Sequence, residues 1–314
     1  MSGDALWIEG PDQVAIRSGQ EGSGSLVRTL YSGISRGTER LISHGKVPKA
    51  EYQRMRAPFQ EGDFPFPVKY GYCAVGRATE GAYRDRNVFA LFPHQQSFRL
   101  PDDALTPLPD DLPAERAVLT ANMETALNVL WDSRAAAGDR IAVIGAGVVG
   151  LLIASLAARL PGAEVTVIDT QPAREDLTRM LGCRFALPDD APDEQDAVIH
   201  TSASSAGLAQ AIAIAGTEAQ ITEASWHPAP VTIPLGGAFH SRRLRIVSSQ
   251  VGRLPDTRNA RWNYARRLRK AMELLAADDR LDELVSGETA FRELPDRWTD
   301  IINDAATLCH RIRY

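Results

Sequence analysis

Residues 139–169 read DRIAVIGAGVVGLLIASLAARLPGAEVTVID. An apolar run, Ile141 to Ile144, meets Gly145-Ala146-Gly147-Val148-Val149-Gly150; a stretch of helical period follows, and a second apolar run, Val165 to Ile168, stops at Asp169. The order is strand, glycine turn, helix, strand, acid. In the G-x-G-x-x-G spacing Gly145 permits the tight turn, Gly147 lets the backbone approach a pyrophosphate, and Gly150 lets helix and strand pack closely. The helix opening at Val148 and Val149 turns its free N–H groups and positive dipole end toward the phosphates. Asp169 ends the second strand, where a carboxylate accepts hydrogen bonds from both ribose hydroxyls. A glycine turn in an ordinary βαβ unit with no ligand is the competing account, and the strand context with the acid at the right distance weighs against it.

The acid also bears on which dinucleotide. A 2′-phosphate against Asp169 brings like charges together, and Thr170 and Gln171 supply no cation, so NAD is expected and NADP is less favoured. Arg174 is either a cation that turns toward such a phosphate or a solvated arginine on the next helix.

At 314 residues and 44% hydrophobic content, the chain has room for two domains. A net charge of -5 gives no reason to expect nucleic acid or an anionic membrane as a partner. No apolar run approaches the roughly 18 residues that span a bilayer, and the first ten residues lack the pattern of a secretion signal, so the cytoplasm is expected. Cys73, Cys183 and Cys309 are too scattered for a disulfide framework or a CxxC knuckle.

Residues 1 to about 115 are β-rich: Leu26 to Tyr31, Val68 to Gly76, Val88 to Phe92 and Ser97 to Leu100 are short apolar runs between turns. The proline-punctuated stretch before Val68 reads as a surface loop. From Leu112 to Gly138 a helical spacing predicts one long helix or a pair. After Asp169 come a helix, a buried run Asp196 to His200, the polar loop Thr201-Ser202-Ala203-Ser204, a helix Gly207 to Ala215, and strands Ala219 to Glu223 and Leu244 to Ser248. Strands alternating with helices give a doubly wound parallel sheet, which binds ligands at the carboxyl ends of its strands. Thr201, Ser202, Ser225 and Ser248 are thereby candidates for the cofactor crevice, or plain loop hydroxyls that cap helices. The end of the chain holds a basic helix (Asn263 to Ala277) whose ARRLRK run reads as a solvated face, a helix Pro295 to Asp304, and a strand-like Thr307 to Tyr314.

Ser32-Gly33-Ile34, PVKYGY followed by Val75-Gly76, GDRIAVIGAGVVG, and VID followed by a helix ending Leu181-Gly182 together resemble the medium-chain dehydrogenase/reductase superfamily, the zinc-type alcohol dehydrogenases. SGISRGTER (Ser32 to Arg40) looks most like the bacteriochlorophyllide dehydrogenase branch, which oxidises a hydroxyethyl substituent on a large ring. The resemblance implies an α/β protein with a GroES-like β-rich domain (1–115), a Rossmann domain (116–255), and a C-terminal segment (256–314) that returns to pack on the first. It also implies hydride transfer at a nicotinamide and a homodimer.

Zinc-dependent members carry Cys where this chain has Ser35, Gly-His-Glu where it has Gly71-Tyr72-Cys73, and a third ligand near Ala121. A catalytic zinc takes about three N, S or carboxylate ligands, so no zinc and no metal is expected. A substitute set from Cys73, His94 and Glu124 follows no ligand spacing.

Without a metal, charge on the substrate oxygen falls to a side chain. Tyr72, at the ligand position, is the first candidate donor; its competing reading is a barrel aromatic packed on Tyr70 and Pro67. Thr38 and Glu124 are further catalytic candidates, with Cys73, Glu39 and His94 behind them. Lys69 alternates with Tyr70 and so points toward solvent, and Arg36 either reaches the pyrophosphate or lies on the surface. His240, Arg242 and Arg243 after Gly236-Gly237 either hold an acidic substrate group or pair with acids across a dimer. The expected function is a zinc-independent NAD(H) oxidoreductase interconverting a secondary alcohol and a ketone on a small-molecule substrate with a bulky substituent. The alternatives are a quinone or enoyl reductase, and a dinucleotide-binding protein without turnover.

Overall fold

Ile141, Ala142 and Val143 have no exposed surface, which is why this run is continuously apolar instead of alternating: both faces of its strand are covered. In the computed structural model, which describes residues 3–20 and 22–314, it forms the strand Arg140–Ile144. The chain divides into two units, Met1–Ala121 with Leu268–Tyr314, and Asn122–Arg267.

The second unit is built on a parallel six-stranded sheet in the order Arg184–Ala186, Glu164–Ile168, Arg140–Ile144, Gln195–His200, Ala215–Glu223, Arg245–Ser248. Counted along the chain this is 3-2-1-4-5-6, the doubly wound order of dinucleotide-binding sheets. The register pairs Ile144 with Ile168 on one side and with His200 on the other. Gly145, Asp169 and Thr201 therefore leave the sheet side by side at its carboxyl edge. The helix Val148–Ala157 is apolar all round and buried except at Val149, as a helix enclosed by its own domain must be.

The first unit carries a sheet in the order Val285–Ala290, Cys309–Arg313, Ser25–Ser35, Ala74–Ala78, Asn87–Ala90, Thr106–Pro107, with Ser97–Leu100 also paired to Ser25–Ser35. A second sheet joins Gln13–Ser18, Asp4–Gly10, Val68–Lys69 and Glu61–Gly62. The C-terminal strand runs antiparallel to Ser25–Ser35, from Cys309 opposite Ser35 to Arg313 opposite Tyr31.

The helical stretch after Leu112 is a pair, Ala114–Ala117 and Thr120–Ser133. The fifth strand of the parallel sheet begins at Ala215, not Ala219, because the helix Ser205–Ile214 passes directly into extended backbone at Ala215. The alanine- and isoleucine-rich junction has no stop signal a reader of the sequence could use.

Candidate functional site

The glycine turn is fixed from below. Gly145 sits at φ +109, and a Cβ there would lie 2.8 Å from Thr201 Oγ1 and 2.9 Å from Ser202 N. A Cβ on Gly150 would fall 1.9 Å from the Gly145 carbonyl oxygen, so the helix packs on the turn only because that atom is missing. Gly147 differs: nothing lies within 4 Å of its Cβ position, and its backbone is ordinary extended chain. Its smallness serves no packing here. What it leaves is open room in front of a helix N-terminus that no side chain caps, with Val148 and Val149 in the first turn. That is the shape a pyrophosphate requires.

Asp169 is tied to the same turn. Ala146 N–H donates to its Oδ2 at 2.7 Å and Gln171 N–H to its Oδ1 at 2.8 Å. An ionised carboxylate offers about four acceptor sites, so capacity for two ribose hydroxyls remains. Thr201 fastens the turn from the fourth strand: its Oγ1 donates to the carbonyls of Ile144 at 3.1 Å and Gly145 at 3.0 Å. Ser202, exposed, is hydrogen-bonded to His200 Nε2 at 2.7 Å and Ser204 Oγ at 2.9 Å. Ser225 Oγ accepts from Ala203 N–H, and Ser248 is exposed on the edge strand. Arg174 is buried, not solvated.

Beyond these, the sequence reading passed over a cluster at the same edge. His200 Nδ1 lies 2.6 Å from Glu223 Oε2, and His227 Nε2 lies 3.3 Å from the same oxygen. The one signal for it was a histidine ending a buried strand beside a Glu and a His four residues apart.

In the first unit the Tyr72 phenol is hydrogen-bonded to the side chains of Ser35 and Thr38. Burial, then the neighbouring Cys73 and Glu39, raise its pKa well above the ordinary phenol range, outweighing those two bonds, so it stays protonated. Ser35 N–H donates to Glu39 Oε1 at 2.8 Å, and Glu39 Oε2 meets His94 Nε2 at 3.0 Å. His94 Nδ1 continues to Ser32 Oγ at 2.8 Å, and Ser32 Oγ to Tyr314 OH at 2.9 Å. Glu39 and His94 are each 1% exposed, so this is an internal polar chain satisfied from end to end. Ser32 and Tyr314 had no sequence signal, since the C-terminal strand alone brings Tyr314 to that place.

Two side chains, Lys69 and Arg267, are not where alternation or charge put them, while Arg36 is half-exposed, in keeping with its surface reading. Lys69 is buried, bonded to Glu61 and to Gln95 Oε1 at 2.7 Å, because the short strand Val68–Lys69 is covered on both faces. Arg36 donates to the carbonyls of Ile302 and Asn303. Arg267, inside the charge run read as solvated, is 2% exposed; it donates to Glu124 Oε1 at 3.0 Å, Asn128 Oδ1 at 2.5 Å and Val251 O at 2.7 Å. Tyr72 and Thr38 are thus brought together in the first unit, and Glu124 is engaged by Arg267 in the second. Arg242 donates to Ala215 O at 2.8 Å and Arg243 meets Glu218 at 3.2 Å, within the second unit.

Residues 128–223 match the family described as alanine dehydrogenase/PNT, C-terminal domain. An L-idonate 5-dehydrogenase from Escherichia coli superimposes with a TM-score of 0.81 at 14% identity, over 99% of this chain and 98% of that one. At that identity the likeness shows a shared fold over the whole length of the chain. Two curated relatives match by sequence over shorter spans. An uncharacterized zinc-type alcohol dehydrogenase-like protein of Haemophilus influenzae is 35% identical over 88 residues, 28% of this chain and 25% of that protein. The 5-exo-hydroxycamphor dehydrogenase of Pseudomonas putida is 31% identical over 141 residues, 43% of this chain and 36% of that protein. The match thus spans about a quarter to a third of these relatives.

Proposed function

We propose that the chain is a zinc-independent, NAD(H)-dependent oxidoreductase that interconverts a secondary alcohol and a ketone carrying a bulky substituent. The observation that carries this reading is Asp169, bonded to the backbone of a glycine turn whose Gly147 leaves a ligand-sized opening at an uncapped helix end. Gly145, Gly147, Val148, Val149 and Gly150 would hold the pyrophosphate, Asp169 the adenosine ribose, and Thr201 and Ser202 the adjoining edge. Asp169 favours NAD over its 2′-phosphorylated form by charge.

The nicotinamide, when bound, supplies or takes the hydride. The chain's own residues manage the oxygen. Tyr72, kept protonated, donates a hydrogen bond to a substrate carbonyl, and Ser35 and Thr38 orient its hydroxyl. The donor set does not suit a catalytic zinc. Ser35 and Tyr72 bond to each other; Glu39 and His94 take up each other's capacity; and burial, with Cys309 and Glu39 nearby, pushes the Cys73 thiol well above its usual range, away from the thiolate a metal needs. Glu124, neutralised by Arg267, receives a structural part in this reading.

The relatives' names support an alcohol-type substrate. The edge strand Arg245–Ser248, its burial only partial, is the surface on which a homodimer would form. Among the described residues no helix is long and apolar enough to cross a membrane, which accords with a cytoplasmic place.

The test is stopped-flow oxidation of NADH against ketones, enones and quinones, with and without prior EDTA treatment. Turnover on ketones that survives EDTA is expected. Tyr72→Phe should lower kcat about 10²–10³-fold with nucleotide affinity unchanged, and Asp169→Ala should weaken NADH more than NADPH. Turnover confined to enones or quinones identifies the reductase alternative; nucleotide binding with silence across the panel makes the chain a binding protein; absence of nucleotide binding refutes all three.

A further inference from the structure

Among the described residues, His200, Glu223 and His227 are the group of histidine, cysteine and acidic side chains whose donor atoms come within 4.8 Å of one another. They stand at the carboxyl ends of the fourth and fifth strands of the parallel sheet, far in sequence from Ser35 and Tyr72. The donors are two imidazole nitrogens and one carboxylate oxygen, a set common to zinc and to other divalent first-row cations.

The state of each donor points the same way. His227 Nε2 is buried without a hydrogen-bond partner although 3.3 Å from Glu223 Oε2. A buried ring nitrogen with no bond is costly unless something else takes it. His200 shows the arrangement metal-bound histidines use: one ring nitrogen, Nδ1, faces the carboxylate, while the other, Nε2, is held by Ser202 Oγ at 2.7 Å, which fixes the orientation of the ring from behind. The other oxygen of the Glu223 carboxylate, Oε1, accepts from Ser225 N–H at 2.7 Å, which holds Oε2 toward the two histidines. His200 is fully buried, whereas the Glu223 and His227 side chains are 15% and 17% exposed, which leaves a path for an ion to enter.

We infer that His200 Nδ1, Glu223 Oε2 and His227 Nε2 form a binding site for a divalent transition-metal ion of the zinc type at the edge of the dinucleotide-binding sheet. Binding replaces the contact between Nδ1 and the carboxylate by two bonds to the metal. The ring gives up the Nδ1 proton and takes one at Nε2 through solvent, a change of tautomer with no net proton released; Nε2–H then donates to Ser202 Oγ, and the fourth position faces water. The ion would stiffen the Thr201-Ser202 loop, against which Gly145 packs. The inference stands independently of the proposed activity, since the site needs neither nucleotide nor substrate.

The experiment is titration of the full chain, freed of metal by EDTA and dialysis, with ZnCl2 by calorimetry and with CoCl2 by visible absorption, nucleotide being absent. One zinc per chain is expected, with a cobalt spectrum of four-coordinate type. His227→Ala and Glu223→Gln should each weaken zinc by about a hundredfold or more, and Ser202→Ala by about 10-fold or more, the scale of outer-shell partners. Far-UV circular dichroism and the melting temperature without metal establish that each variant is folded. Absence of saturable zinc binding overturns the inference, as does zinc binding that the folded His227→Ala and Glu223→Gln variants retain.

Discussion

Arg267→Met isolates the interior of the second unit. The substitution keeps much of the side chain's volume and removes three hydrogen bonds from a 2% exposed guanidinium, leaving Glu124, Asn128 Oδ1 and Val251 O facing each other without a donor. Breaking a buried ion pair from one side costs about 3–5 kcal/mol. The cost has a defined pH dependence. Burial already raises the Glu124 pKa, and Arg267 is what lowers it. In the variant it rises further, so the folded state holds a proton the unfolded state releases. A carboxyl with its folded pKa above its unfolded value near 4.3 lowers stability as pH climbs between those two values. Urea unfolding, followed by tryptophan fluorescence to which the Trp131–Trp262 pair in the same unit contributes, should therefore show a larger loss at pH 8 than at pH 5. Arg267→Met with Glu124→Leu should recover about half of the loss, the remainder reflecting Asn128 and Val251. A loss below about 1 kcal/mol at pH 8, or single-variant losses that simply add in the double variant, would refute the argument that this pair holds the interior.

Gly147→Ala should leave the melting temperature unchanged and weaken NADH by at least about tenfold, because its Cβ enters open room and fills the cradle; Gly150→Ala, driven against the Gly145 carbonyl at 1.9 Å, should lose both affinity and about 1–3 kcal/mol of stability. Fluorescence titration and thermal melts on the pair decide it, and equal stability loss in both would contradict the packing. In the first unit, burial, then the Arg297 charge, lower the His310 pKa to about 4 from 6.5. The folded state therefore favours neutral imidazole: the stability this supplies is present above pH 6.5 and lost as pH falls toward 4. Solvent screening reduces it to about 2 kcal/mol. A His310→Phe variant whose stability varies with pH over that window as steeply as the parent's would show the slope comes from elsewhere.

The dinucleotide half was legible because its determinants are local. Strand, turn and helix each announce themselves within a few residues, and parallel register then places Asp169 and Thr201 beside Gly145. The α/β class and the β-rich start follow from the same kind of signal. What escaped depends on pairings distant in sequence. Arg267 looked solvated because its neighbours are charged, and only the fold shows that it turns inward to Glu124. Lys69 broke the alternation rule because its two-residue strand has no exposed face. The chain from Glu39 through His94 and Ser32 to Tyr314 joins residues from opposite ends of the sequence, and no spacing encodes it.

The pairing of Cys309–Arg313 with Ser25–Ser35 has a consequence for biosynthesis. Residues 122–267 are contiguous and can close as soon as they leave the ribosome, whereas the sheet around Ser25–Ser35 waits for Cys309–Arg313 to be translated. At about 5–20 residues per second the interval is on the order of tens of seconds. Throughout it, one side of Ser25–Ser35 offers unpaired backbone groups to any passing strand, so nascent chains should depend on chaperones until Cys309–Arg313 has emerged.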